Sequence, residues 1–228
     1  MHPLDNVIWK ALATCQTHLG TRNHSAARFF ADVSVLGALA ELTAEAYESL
    51  FALLHVNERV GLFLDETPQP SPWWKVVRSG PLLQMVHEHA PAPENREGKE
   101  PVFLRLGEAD VPEMLALTQL TKPGPFGRHT HEMGEYWGIR QNGKLIAMAG
   151  ERLRLPGYTE VSAVCTHPDH LGHGCATALI TMLVQRIRDR GEQPFLHVLP
   201  ENTRAVELYE HLGFRKRALR QYVILERK

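Results

Sequence analysis

Residues 159–190 run as an apolar strand, a glycine-bearing turn and a long amphipathic helix, and this succession constrains the chain more than any other stretch. In the helix, Ala176, Leu179, Ile180, Leu183, Val184 and Ile187 follow the i, i+3, i+4 rule and form one apolar face. Such a face must be packed, here on a sheet containing the strand "TEVSAVCTH". Packing fixes the helix N-terminus in place. Its first N–H groups have no partner inside the helix and its dipole end is positive, so it suits phosphate. In "THPDHLGHGCATAL", Gly172, Gly174 and Ala176 supply small residues at alternate positions, where a pyrophosphate could touch the backbone. Pro168 ends the strand because it cannot donate to a ladder. The same glycines could serve turn geometry only, and this stretch alone leaves both readings open. It is not a dinucleotide fingerprint, since Thr177 stands where the last glycine belongs, nor a Walker loop, which needs Lys and Ser/Thr at its end.

The turn also holds His167, His170 and His173, which raises a metal site. They occupy a strand end and a turn, so their side chains need not converge, and no HExxH helix accompanies them. Solvent-facing histidines are the commoner case, and no metal is expected. Net charge is -1, from 25 Lys+Arg against 26 Asp+Glu, which argues against a nucleic-acid or membrane surface as the main partner. Cys15, Cys165 and Cys175 make no disulfide framework. The N-terminus has no signal-peptide pattern and no apolar run is long enough to span a bilayer. A cytoplasmic protein is expected, and a homodimer is compatible with the chain.

"HAPAPENREGKEPV" is proline- and charge-rich and reads as a linker. It divides the chain into an N-terminal α/β domain over residues 1–90, a linker over 91–100 and a second domain over 101–228. The first part opens with an amphipathic helix carrying Leu4, Ile8, Leu12, Cys15 and Leu19. "ARFFADVSV" and "RVGLFLD" read as strands flanking a helix marked by Leu39, Leu42, Ala46, Leu50 and Leu54. "TPQPSP" is a turn, and "WWKVVRS" and "LLQMVHE" are two further strands. The second part alternates. "VFLRLGE" is a strand and "DVPEMLALTQL" a helix with Asp110 as N-cap. Asn142-Gly143 joins a hairpin, "PFLHVL" is a strand, "NTRAVELYEHL" a helix and "YVILER" the last strand. This order predicts a mixed α/β sheet.

The second helix is decisive. Ala205, Leu208, Tyr209 and Leu212 form its apolar face, and Asn202 sits where an N-cap belongs. Together, "HPDHLGHGCATAL" resembles the acetyl-CoA pyrophosphate motif of the GNAT superfamily of N-acetyltransferases, and "NTRAVELYEHLGF" resembles its other signature. "EVSAVCTHP" is similar to the family's central strand. The resemblance covers roughly residues 102–228, and the partial domain ahead of it resembles glycine N-acyltransferase-like layouts, as a degenerate GNAT-like half. Leu171 departs from the pattern, for the family usually carries Arg or Gln there.

The resemblance implies a GNAT-type fold: a mixed, mostly antiparallel sheet with a splayed central strand pair, flanked by helices and preceded by a smaller α/β domain. It implies acetyl-CoA as cofactor and an amine acceptor attacking directly. The strand carrying Ala163, Val164, Cys165 and Thr166 would pair with the pantetheine, with the oxyanion donor at Val164 or Cys165. Leu171, Gly172, His173, Gly174, Cys175 and Ala176 would carry the pyrophosphate. Tyr209 matches the proton donor to the leaving thiolate, and Asn202 would orient the cofactor or a water, or simply cap its helix. The acceptor amine arrives protonated, so a base must take its proton. Glu160 is the first candidate, Glu151 the second and Glu135 a third that suits a solvated edge better. Cys165 reads as core, with no acyl-cysteine expected. The loop "TKPGPFGRHTHEMGEY" would cover the acceptor, with Pro123, Pro125 and Phe126 as a rigid wall and His129, His131 and Glu132 as polar contacts. The expected activity is N-acetylation of a small amine or amino acid. A protein or peptide acceptor and a non-catalytic acyl-CoA-binding module are the alternatives.

Overall fold

A computed structural model describes residues 2–66, 71–88 and 101–228. The expected linker at 91–100 and most of the "TPQPSP" turn lie outside the described residues. In chain order the elements are α1 (Val7–Ala13), β1 (Gly20–Arg22), β2 (Ala26–Phe29), β3 (Gly37–Leu39), α2 (Ala44–Ala52), β4 (Arg59–Leu64) and β5 (Trp74–His87). There follow β6 (Leu104–Leu106), α3 (Val111–Thr121), β7 (Tyr136–Gln141), β8 (Lys144–Leu155) and β9 (Tyr158–Thr166). The chain closes with α4 (Cys175–Asp189), β10 (Gln193–Val198), α5 (Thr203–His211) and β11 (Phe214–Arg227).

Eight strands form one sheet in the order β4-β11-β5-β10-β9-β8-β7-β6, and β1-β2-β3 form a small second sheet. Among the described residues, only β9 and β10 of the large sheet run parallel. The expected mixed, mostly antiparallel sheet with flanking helices is what forms. The N-terminal part does not stand apart from it, because β4 and β5 are members of the large sheet. β5 lies between β10 and β11, which have no pairing with each other. Only β1–β3 make a sheet of their own.

Alternation along the strands supplies both faces. On β10, Phe195 joins a cluster with α1, Phe29 and Leu153. Leu196 and Val198 join the cluster under α4 and α5. α4 buries Leu179, Ile180, Leu183 and Ile187 completely, and each such side chain contributes about 2 kcal/mol. On the opposite face α3 seats Met114 and Leu117 beside Tyr136 and Met148.

Some local readings change. The first helix stops at Ala13, and Cys15, expected on its buried face, is exposed. "WWKVVRS" and "LLQMVHE" are one long strand, since a Gly80-Pro81 step is tolerated where β5 meets Tyr222 and Gln221 of β11. Asp110 does not cap α3. Its carboxylate accepts from Gly107 N–H at 2.9 Å and from Arg140 at 2.7 Å. Asn142 and Gly143 both have positive φ (51° and 79°), the geometry of a tight hairpin turn. Among the described residues no helix is long and apolar enough to cross a membrane.

Candidate active site

β9 and β10 part company midway. They pair only at Tyr158–Gln193, Thr159–Pro194 and Glu160–Phe195. β10 then continues against β5, and β9 against β8. A V opens between them. Its β9 wall is bulged, since Ala163 and Val164 together oppose Ala149 between the Gly150–Ser162 and Met148–Cys165 pairs. Ala163 sits at φ 51°, a conformation costing a non-glycine residue about 1–2 kcal/mol. His167 N–H bonds Ile146 carbonyl at 2.7 Å. By ladder alternation Cys165 also turns its N–H to β8, and Thr166 turns its backbone groups to the open side. The Thr166 hydroxyl is buried without a partner.

At the mouth of the V stands the N-terminus of α4. Gly172 (φ 83°) and Gly174 (φ 76°) are both left-handed, so both need glycine. Gly174 is the N-cap and no side chain caps the helix. Its first backbone bond is Ala178 N–H to Gly174 carbonyl, which leaves the N–H groups of Gly174, Cys175, Ala176 and Thr177 unspent within the helix. Leu171 is 48% exposed, an apolar side chain left in the open, and His173 is exposed.

Tyr209 of α5 packs against the cluster that also holds Val164, Cys175 and Val198. Its ring packs edge-on against Phe214, 5.9 Å between centroids. Burial, with a smaller contribution from Cys165, pushes its phenol up to about 12, so it keeps its proton at neutral pH. Burial pushes the Cys165 thiol up to about 11 and also raises Cys175, so neither is a thiolate nucleophile. Asn202 caps α5, accepting from Ala205 N–H at 3.3 Å.

On the opposite face, Pro123, Gly124, Pro125 and Phe126 roof a narrow recess whose floor is Tyr136, Arg152, Ser162 and Ala163. The first part of the chain pins this roof. Thr130 hydroxyl donates to Val33 carbonyl at 2.6 Å, and His129 N–H to Asp32 carbonyl at 3.0 Å. His129 and Glu132 bind each other at 2.6 Å and His131 binds Arg128 carbonyl, so these side chains brace the loop and do not line the recess.

The geometry speaks against the expected bases. Glu160 is fully buried and accepts from Arg152 at 2.7 and 2.9 Å, from His197 Nδ1 at 2.7 Å and from Leu153 N–H at 3.3 Å. Burial would raise its carboxyl, but Arg152 and then His197 outweigh it and hold it down at about 2. Glu151 is fully buried and takes Arg190 at 2.6 Å, beyond the far end of α4 from the glycine turn. Glu135 pairs with Arg186 at 3.0 Å. The His197 tautomer is fixed by its neighbours. Gln84 Oε1 takes Arg217 at 2.6 Å and Gln84 Nε2 donates to Leu4 carbonyl. The amide therefore turns its donor to His197 Nε2, and Nδ1 carries the proton toward Glu160.

The comparisons with known proteins agree with this geometry. The model of the FR47-like protein family matches residues 136–223. A crystal structure of a GNAT-family protein from Novosphingobium aromaticivorans is 36% identical over the whole of both chains, with a TM-score of 0.90. The chain belongs to the GNAT superfamily. It is also 29% identical over 122 residues to the [ribosomal protein bS18]-alanine N-acetyltransferase of Escherichia coli, covering 51% of this chain and 82% of that one. A GCN5-related N-acetyltransferase from Kribbella flavida shares the fold, with a TM-score of 0.63, 17% identity and coverage of 98% and 96%. As a GNAT N-acetyltransferase the protein uses acetyl-CoA. The open V, the orphaned Thr166 hydroxyl and the uncapped glycine turn fit that cofactor.

In this GNAT chain the sequence reading missed Tyr136, Arg152, Ser162 and His197. Arg152 carried a signal, as one of several charges in the otherwise apolar strand "KLIAMAGERLRL". Gly172 offers a direct check of the turn. A Cβ there meets nothing within 4 Å, so Gly172→Ala changes only the backbone preference. Stability is expected to fall by about 1 kcal/mol, with KM for acetyl-CoA rising several-fold and KM for the acceptor unchanged.

Proposed function

We propose that this protein acetylates the primary amine of a small molecule or amino acid by direct attack, in the cytoplasm. One observation carries the reading: the bulged V opens on one face to the α4 N-terminus and on the other to the roofed recess, so two ligands can meet at Ala163–Val164 from opposite sides.

The N–H groups at Gly174 to Thr177 would hold the pyrophosphate, and the open edge of β9 would pair with the pantetheine. Acetyl-CoA supplies the activated acyl group. Val164 is the favoured oxyanion donor of the two expected, since Cys165 spends its N–H on β8. Among the described residues no carboxylate lines the recess, which favours water as the carrier of the amine proton. Tyr209 then gives its proton toward the thiolate sulfur. The pinned loop favours a small acceptor over a threaded peptide. The bS18 relative's name keeps a protein N-terminus as a second reading.

Thiol release across a panel of free amines tests the reading, with background rates for every amine as the opposing result. The rate should rise with pH while the acceptor amine loses its proton and show no fall below about pH 10, because Tyr209 is still protonated there. Tyr209→Phe should lower kcat about 100-fold with little change in KM for acetyl-CoA. A kcat within a factor of about two of the parent would remove Tyr209 as donor.

A further inference from the structure

The recess holds more polar capacity than its neighbours use. Tyr136 is 1% exposed, and its hydroxyl is buried without a hydrogen-bond partner. Its ring is held by Phe126 edge-on at 5.6 Å and by Gly150, where any Cβ would strike the ring, so the hydroxyl has little freedom to turn away. Arg152 spends Nε and Nη2 on Glu160, which leaves Nη1 over. Glu160 offsets the Arg152 charge but engages only two of its nitrogens, so Nη1 keeps donor capacity for a ligand. Ser162 adds a hydroxyl, and among the described residues no carboxylate lines the space. A buried phenol with no acceptor is costly, and a ligand acceptor atom would relieve it.

We propose that Arg152, Tyr136 and Ser162 form a carboxylate subsite, and that the acceptor is therefore a free α-amino acid. This rests on the N-acetyltransferase reading above. The donors are a guanidinium and two hydroxyls, which suit a small planar anion. Ser162 and Ala163 are adjacent on β9, so a carboxylate there sets the α-amine beside the bulge. The roof of Pro123 to Phe126 lies over these three donors.

The test compares the standard α-amino acids with their carboxamides and decarboxylated amines, by thiol release. The free acids should be acetylated at least about 10-fold more efficiently, the discrimination expected for a charged hydrogen-bonded group. Tyr136→Phe removes only the orphaned hydroxyl and should fold. It should raise KM for the acids about 10-fold and leave the decarboxylated amines, which bring no acceptor atom to the phenol, unchanged. Acids and carboxamides turning over equally would overturn the subsite while keeping the transferase. If no amine turned over, the transferase reading would fail instead. Thermal shift would then decide the subsite: N-acetyl amino acids should raise Tm in the parent and not in Tyr136→Phe. Equal shifts with N-acetyl amino acid amides, or none, would refute it.

Discussion

A fragment of residues 101–228 will not fold, although it contains both cofactor motifs. β5 supplies the strand between β10 and β11, and β11 pairs only with β4 and β5. Removing the first hundred residues strips β11 of all its partners. It also removes Leu62, Leu82, Leu83 and Met85 from the core, at about 2 kcal/mol each. That sum approaches the whole stability of an ordinary domain, about 5–15 kcal/mol. The fragment should show no cooperative thermal transition and no saturable acetyl-CoA binding. A fragment that melts cooperatively would mean that β11 finds another partner.

Glu160→Gln will act on stability and not as the loss of a base. It leaves the Arg152 guanidinium buried without its counter-charge, and breaking such a pair costs about 3–5 kcal/mol. The pH dependence has a defined sign. The Glu160 carboxyl is depressed from 4.5 to about 2. Its stabilisation is thus complete above about pH 4.5 and is lost as pH falls from there through about 2. The parent Tm should drop across that window. The variant should begin lower and lack this share of the slope. A base would give the reverse: an unchanged Tm and a kcat reduced about 100-fold or more.

Local chemistry was readable where the chain makes its own neighbours. Gly172 and Gly174 lie in left-handed conformations, Asn142-Gly143 closes its hairpin and Asn202 caps α5. The apolar face of α4 is the one that packs. Pairings between distant segments were not readable. Nothing in "LLQMVHE" says that it inserts between β10 and β11, because strand partners are set by the whole sheet. Glu160 looks the same in sequence whether it faces a substrate or Arg152 and His197. Its partners lie 8 and 37 residues away, and the Gln84 that fixes His197 lies 113 residues from it. The anchoring of the 122–134 loop by Asp32 and Val33 is equally non-local.

A single-turnover experiment with acetyl-labelled CoA and intact-mass detection distinguishes direct transfer across the V from a covalent relay. The label should move to the acceptor nitrogen in one phase, with no acetylated protein at any time, since burial keeps Cys165 and Cys175 as thiols. A labelled protein that forms first and decays as product appears would contradict direct attack.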